Sequence, residues 1–322
     1  MFTHIFILFA GLLMIIAGAE FLVKGASGIA RKAGISEFVI GLTIVAIGTS
    51  APEMVVSLVG AFEGNSDVSA GNVLGSNIFN GLLILGITAV LTPIELKKNN
   101  RYFDIPLYFI FTLGLMFTAQ SFTFFGLGGS DELSRWEGLA IFALFVLYIY
   151  LTYKRDSLPD SEKEAGNQED DTSSWLYAII LTAGLGMLTL GGSLFVDAGV
   201  EIAHIAGMSD KFIAVTILAV GTSLPEFATC IVAVMQKKSQ LALGNILGSN
   251  IFNMLLILGT SAIVHPIDFR NIQVFDFAVL LVGGAILWIS ALARKEKRIT
   301  YIEGALLLIT YAVFMIKTFN NL

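Results

Sequence analysis

Charge is scarce in this chain. Of its 322 residues only 14% are Asp, Glu, Lys or Arg, against roughly 25% in soluble globular domains. A water-soluble enzyme or a nucleic-acid-binding module is not built that way. A single cysteine, Cys230, excludes an intramolecular disulfide framework. The three histidines, His4, His204 and His265, fall near predicted span ends, so none is placed for catalysis inside the membrane. The net charge of −6 is concentrated in one loop and says little about partners.

What the chain has instead is apolar length. It is 56% hydrophobic with a mean hydropathy of +0.81, and apolar runs of about 20 residues recur, the length that about 30 Å of hydrocarbon requires. The bilayer is its solvent. His4-Ile5-Phe6 begins the first run without a basic segment or a small-residue cleavage site, so this run reads as a first span and not a removed signal. Spans are expected at 4–24, 37–61, 68–92, 103–121, 136–153, 176–197, 212–235, 241–264, 275–293 and 299–317.

The strongest pattern is a duplication. Residues 41–53 read GLTIVAIGTSAPE and 214–226 read AVTILAVGTSLPE; each is followed by Gly-Asn-x-Leu-Gly-Ser-Asn-Ile-Phe-Asn, at 71–80 and at 244–253. The offset is 173 throughout, and 34–94 matches 207–267 at 30 of 61 positions. The expected fold is therefore an all-α polytopic membrane protein of ten transmembrane helices. They form two five-helix repeats, 1–153 (motif 41–80) and 175–322 (motif 214–253), joined by an acidic linker at 154–174.

Five spans per repeat force the halves into opposite orientations. With both termini outside, 15 of the 19 Lys and Arg fall in the cytoplasm: Lys24, Arg31, Lys32, Lys97, Lys98, Arg101, Lys154, Arg155, Lys163, Lys237, Lys238, Arg294, Lys295, Lys297 and Arg298. The positive-inside rule supports this arrangement, linker included. The linker has no EF-hand spacing and reads as a solvated connector.

Each motif should break its helix. Pro52 has no N–H for the Gly48 carbonyl, and Pro225 does the same to Gly221. Helices two and seven should thus open near mid-span, with carbonyls around Ala46–Thr49 and Ala219–Thr222 unpaired. In hydrocarbon that is tolerable only at a cavity, a ligand or other protein. Glu53 and Glu226 sit at the same depth, where a carboxylate marks an ion or proton pathway. Thr49 and Thr222 lie one turn before them, and the next helices carry Asn72-Ser76-Asn80 and Asn245-Ser249-Asn253 at spacings of four.

Oxygen donors without a nitrogen or sulfur cluster suit hard cations. Two bidentate glutamates and the carbonyls of Thr49 and Thr222 approach the six to eight oxygens calcium takes. Ser50, Ser76, Ser223 and Ser249 are neutral and suit sodium. Competition for the same ligands is the physical basis of antiport.

These duplicated motifs resemble the α-repeats of the sodium/calcium exchanger family, prokaryotic type, within the calcium/cation antiporter superfamily. The resemblance covers about 120 residues by motif and the whole chain by span count. It implies that Glu53 and Glu226 are shared calcium and sodium ligands and that Thr49 and Thr222 give backbone oxygens to calcium. Ala46, Ser50 and Ser76 would line one outlying sodium site, Ala219, Ser223 and Ser249 the other, with Asn80 and Asn253 central. Spans one and six would slide across a rigid core to alternate access. It further implies calcium and sodium as substrates, no cofactor, no nucleic-acid partner, a functional monomer and the prokaryotic inner membrane. Some relatives carry Asp at the place of Asn253; Asn leaves the fixed site charge at −2, against obligate potassium coupling.

Other readings are kept for test. Protons could replace sodium as the driving ion, since two glutamates can carry them, and a cation channel could use the same oxygens. Gly25-Ala26-Ser27-Gly28 matches the rhomboid protease pattern, with Ser27 expected in a loop at the membrane edge and no histidine placed as base. The glycines of 71–75 and 244–248 are also small-xxx-small packing motifs. Glu20 and Lys24 are expected to pair at i, i+4.

Overall fold

The computed structural model describes residues 1–126, 131–155, 172–206, 221–293 and 297–320. In chain order its longer helices are α1 (Phe2–Ala33), α2 (Glu37–Thr49), α3 (Ala51–Phe62), α4 (Ser66–Leu91), α5 (Asn100–Ala119), α6 (Arg135–Arg155), α7 (Ser174–Ile205), α8 (Leu224–Met235), α9 (Ser239–Val264), α10 (Val274–Ala293) and α11 (Tyr301–Asn320), with a short helical turn at Ser121–Phe125. Eight are long and apolar enough to cross a membrane, or nine if α2 and α3 are one span bent by 50°. α8 is too short to cross alone, and most of the first half of that expected span, 212–220, lies outside the described residues, as does most of the linker.

The chain divides into two compact units. One comprises Met1–Pro52 and Asp156–Asn245, the other Glu53–Arg155 and Ile246–Leu322. Each draws on both repeats, and the division falls inside α3 and α9.

In the first unit α1 and α7 run antiparallel, and each has 32 residues where 4–24 and 176–197 are expected. Small residues let them touch along their length. A Cβ on Gly11 would lie 2.8 Å from the Gly191 carbonyl oxygen, one on Gly18 2.9 Å from that of Gly184, and one on Gly25 2.6 Å from the Leu181 nitrogen. Gly11 and Gly184 are repeat-related, and so are Gly18 and Gly191, so the contact maps onto itself when the repeats are exchanged.

The same packing explains the extra length. Gly25-Ala26-Ser27-Gly28 is helix, not loop, with Gly28 against the Tyr177 ring. Ser27 is buried inside α1 and, among the described residues, its hydroxyl has no hydrogen-bond partner. The motif is a packing surface. α1 stops where Gly34 takes φ 64°. Glu20 and Lys24 are both exposed and, among the described residues, form no ion pair.

α2 starts at Ser36, whose hydroxyl accepts from the Val39 N–H at 3.2 Å. Its π-helical turn, Gly41–Val45, lies against the start of α9. A Cβ on Gly41 would come within 2.5 Å of the Leu241 carbonyl oxygen, and one on Gly244 within 2.2 Å of that of Phe38.

The second unit is built on α4 and the later part of α9, its most deeply buried helices. α11 packs on α4 where Gly304 meets the Gly86 carbonyl, and α6 packs on α9 where Gly138 meets that of Gly259. Gly86 and Gly259 are again repeat-related. The Phe109 ring of α5 lies 5.2 Å from Trp288 of α10. Two short ribbons clip the connections. Ile94–Glu95 (β1) pairs antiparallel with Arg298–Ile299 (β4), and Glu132–Leu133 (β2) with Ile267–Asp268 (β3). β1 and β3 are repeat equivalents, so each ribbon joins one repeat to the other. α6 and α11 open on the same reciprocal cap: Glu137 Oε2 accepts from Ser134 N at 2.8 Å and Glu303 Oε2 from Thr300 N at 2.8 Å.

Candidate ion site

The break in the first motif falls at Ser50, with φ −85° and ψ 8°; in the second it falls at Ser223, with φ −90° and ψ 6°. Both values lie in the sparsely populated bridge region, so the repeat reproduces its kink residue for residue, two positions before each proline. One expectation needs correcting. The Ala46 carbonyl is not left unpaired: Ser50 N–H donates to it at 3.0 Å, and the Thr49 hydroxyl lies 3.4 Å away. The helix keeps its bonding one residue further than the proline argument allows, because Pro52 removes the donor to Gly48 and not the one to Ala46. In the first unit α7 packs beside both breaks, with Gly48 against Leu185 and Gly221 against Val196.

Within the first unit, Ser50 Oγ donates to Glu226 Oε1 at 2.8 Å. Thr49 Oγ1 donates to Asn245 Oδ1 at 3.2 Å, and Asn245 Nδ2 donates to Cys230 Sγ at 3.4 Å. Glu226, Ser223 and Asn245 are 0% exposed and Ser50 3%. Ala46 is buried and Thr222 partly so, while Ala219 lies outside the described residues.

Within the second unit, Glu53 is 0% exposed and opens the helix after the break. Asn72 Nδ2 donates to its backbone carbonyl at 3.0 Å and to Ser57 Oγ at 2.9 Å. Ser76, Asn80, Ser249 and Asn253 are all buried. Asn80 lies in the π-helical turn Phe79–Ile84, and Asn253 opens the turn Asn253–Ile257. Such turns gather at functional sites, and the four-residue spacing gives no sign of them. Among the described residues, neither amide atom of Asn80 or of Asn253 has a hydrogen-bond partner.

Three further residues escape sequence reasoning. Asn77 Nδ2 donates to the Asn250 carbonyl at 3.2 Å, and Asn250 Nδ2 donates to the Tyr108 hydroxyl at 3.3 Å. The two asparagines are repeat equivalents inside the motif, one position off the stripe of four. Tyr108 comes from α5, outside both motifs. Gly81 leaves room for them, since a Cβ there would stand 3.1 Å from both Asn250 Nδ2 and the Tyr108 oxygen.

Each unit thus offers a buried carboxylate among neutral oxygen donors. An ionised carboxylate without water needs a cation or a proton. Among the described residues no three of His, Cys, Asp and Glu gather; the donors beside the two carboxylates are hydroxyl and amide oxygens, a type that suits hard cations.

Comparison with known proteins gives a consistent result. The sequence model of a family described as sodium/calcium exchanger protein matches residues 3–154 and 176–319, one match per repeat. A putative antiporter, CaxA of Alkalimonas amylolytica, is 38% identical over 98% of both chains. The sodium/calcium exchanger MaX1 of Methanosarcina acetivorans is 32% identical over 98% of this chain and 99% of its own. A solved structure of the sodium-calcium exchanger NCX_Mj superposes with a TM-score of 0.84 at 30% identity, covering 98% of each chain.

Proposed function

From the membership of this chain in the sodium/calcium exchanger family, we propose that it is a secondary antiporter moving sodium one way and calcium the other by alternating access. The family makes it a transmembrane cation exchanger; the ions and ligands assigned below are our reading. Glu53 and Glu226 are the shared ligands, with the carbonyls of Thr49 and Thr222 completing a calcium site. Ala46, Ser50 and Ser76 serve one flanking sodium, and Ala219, Ser223 and Ser249 the other. Asn80 and Asn253 face the centre.

The observation that carries this reading is the pair Asn80 and Asn253, repeat-related, wholly buried, and with no partner for either amide atom among the described residues. A buried amide left so costs about 1–3 kcal/mol per group and calls for an explanation; a bound cation would supply it for the Oδ1 of each. The neutral amides keep the site charge at −2, matching one divalent ion. Ten spans in two inverted halves belong to the same proposal, supported by the antiparallel α1–α7 pair and by ribbons that link repeat to repeat.

The test is calcium uptake into proteoliposomes loaded with sodium. Uptake should follow the sodium gradient and vanish in Glu53→Gln and in Glu226→Gln. Uptake driven equally by a pH gradient without sodium would move the assignment to calcium/proton exchange. Large single-channel currents would make it a channel.

A further inference from the structure

Two repeat-related asparagines, Asn72 and Asn245, stand outside the proposed ligand set, yet each grips a residue inside it. In the first unit Asn245 Oδ1 accepts from the Thr49 hydroxyl and Nδ2 donates to Cys230. Cys230 lies four residues beyond Glu226, on the same face of α8. One amide therefore ties the end of α2 to the helix that carries the acid. In the second unit Asn72 donates to the Glu53 carbonyl and to Ser57, the repeat equivalent of Cys230. The same position in each repeat anchors the same helical face, but its second bond goes to a different target.

Thr49 is the last residue before the break, and Ser50 has left the helical region at ψ 8°. Past that point the regular helical pattern is interrupted, so the orientation of the Thr49 peptide plane depends on more than helical bonding. The side chain is the remaining handle. Threonine is stiff at χ1, so a fixed hydroxyl fixes the backbone beneath it. Asn245 is itself held at both ends of its amide and is 0% exposed, which makes it a rigid post.

We infer that Asn245 is a positioning residue that aims the Thr49 carbonyl at calcium, acting through the Thr49 hydroxyl, while Asn72 holds the backbone under Glu53. The inference rests on the proposal that the Thr49 carbonyl is a calcium ligand. It adds a residue that touches no ion yet sets the affinity for one.

The experiment measures half-saturating calcium and maximal rate in sodium-loaded proteoliposomes for the natural chain, Asn245→Leu, Thr49→Val and the double variant. Each single change removes one partner of the same hydrogen bond without altering charge. Each should raise half-saturating calcium about five- to ten-fold, the weight of one such bond, and Asn245→Leu, which touches no ion, should keep its maximal rate within about two-fold. The double variant should be no worse than the worse single, because both delete one interaction. A merely structural role would instead lower maximal rate and melting temperature at unchanged half-saturation. Should Asn245→Leu fail to fold, Thr49→Val carries the same expectation. If the natural chain exchanges the ions but the variants keep its calcium dependence, or their effects add, the inference is wrong and the parent reading stands. If the natural chain shows no sodium-driven uptake, both fall.

Discussion

Asn80 and Asn253 each place an amide in the protein interior with no hydrogen bond among the described residues, and natural chains seldom tolerate that without use. Replacing such a group with an apolar one of similar shape removes the desolvation cost and leaves the fold unharmed or firmer. Asn80→Leu in ion-free detergent should therefore melt no lower than the natural chain while losing calcium uptake. A lower melting temperature would mean the amide bonds something structural. Ser50 makes the opposite case, since its hydroxyl bonds a carboxylate oxygen at 2.8 Å. In the proposed sodium site the same oxygen turns to the ion instead, a charge-assisted contact of about 1.5–3 kcal/mol, so Ser50→Ala should weaken sodium binding about ten-fold or more. Titration of uptake against each ion would show which one depends on it. At this scale the sequence is most legible, because Glu53 and Glu226 recur at a fixed offset behind prolines. Asn77, Asn250 and Tyr108 are not. The asparagines lie one residue off the stripe of four, π-helical turns follow them, and the tyrosine lies outside both motifs.

At the scale of helices, the proline argument places the breaks but misses their details. The bend falls at Ser50 and at Ser223, each two residues before a proline; in the first motif the N–H missing at Pro52 is the one Gly48 needs, while the preceding turn closes normally. The lengths of α1 and α7 are misread for a different reason. Gly-Ala-Ser-Gly has the composition of a loop in water, but between two membrane helices it is a contact surface. Length and composition do not distinguish these; only the partner helix does. The consequence is testable in two variants. Ser27→Ala should leave calcium uptake within about two-fold, and its loss would revive a nucleophilic serine. Gly18→Val should drive a side chain into backbone atoms of α7 less than 3 Å away, where overpacking costs about 1–3 kcal/mol. Its thermal unfolding in detergent should come several degrees lower, whereas an unchanged melting point would mean α1 and α7 pack less closely than described.

For the molecule as a whole, a contiguous repeat in sequence need not be a contiguous body. Each compact unit takes helices from both halves: α1 packs on its own repeat equivalent α7 in one, and α4 and α9 bond through Asn77 and Asn250 in the other. Sequence similarity reveals which segments correspond, not which ones touch. In the proposed ten-span arrangement it also predicts orientation, because five spans per half and a lopsided distribution of Lys and Arg both bear on sidedness. That orientation can be tested cleanly because the chain has one cysteine and it is 0% exposed, so a membrane-impermeant thiol reagent meets almost no background. Thr3→Cys and Asn320→Cys should label from outside intact cells, and Ser161→Cys in the linker only after the membrane is opened. Labelling of Ser161→Cys from outside would place the linker on the wrong face. Labelling of only one terminus from outside would require an odd number of spans. The halves could then no longer be inverted copies of five helices, and the pairing of Glu53 with Glu226 about one ion would lose its symmetry argument even if each acid still bound a cation.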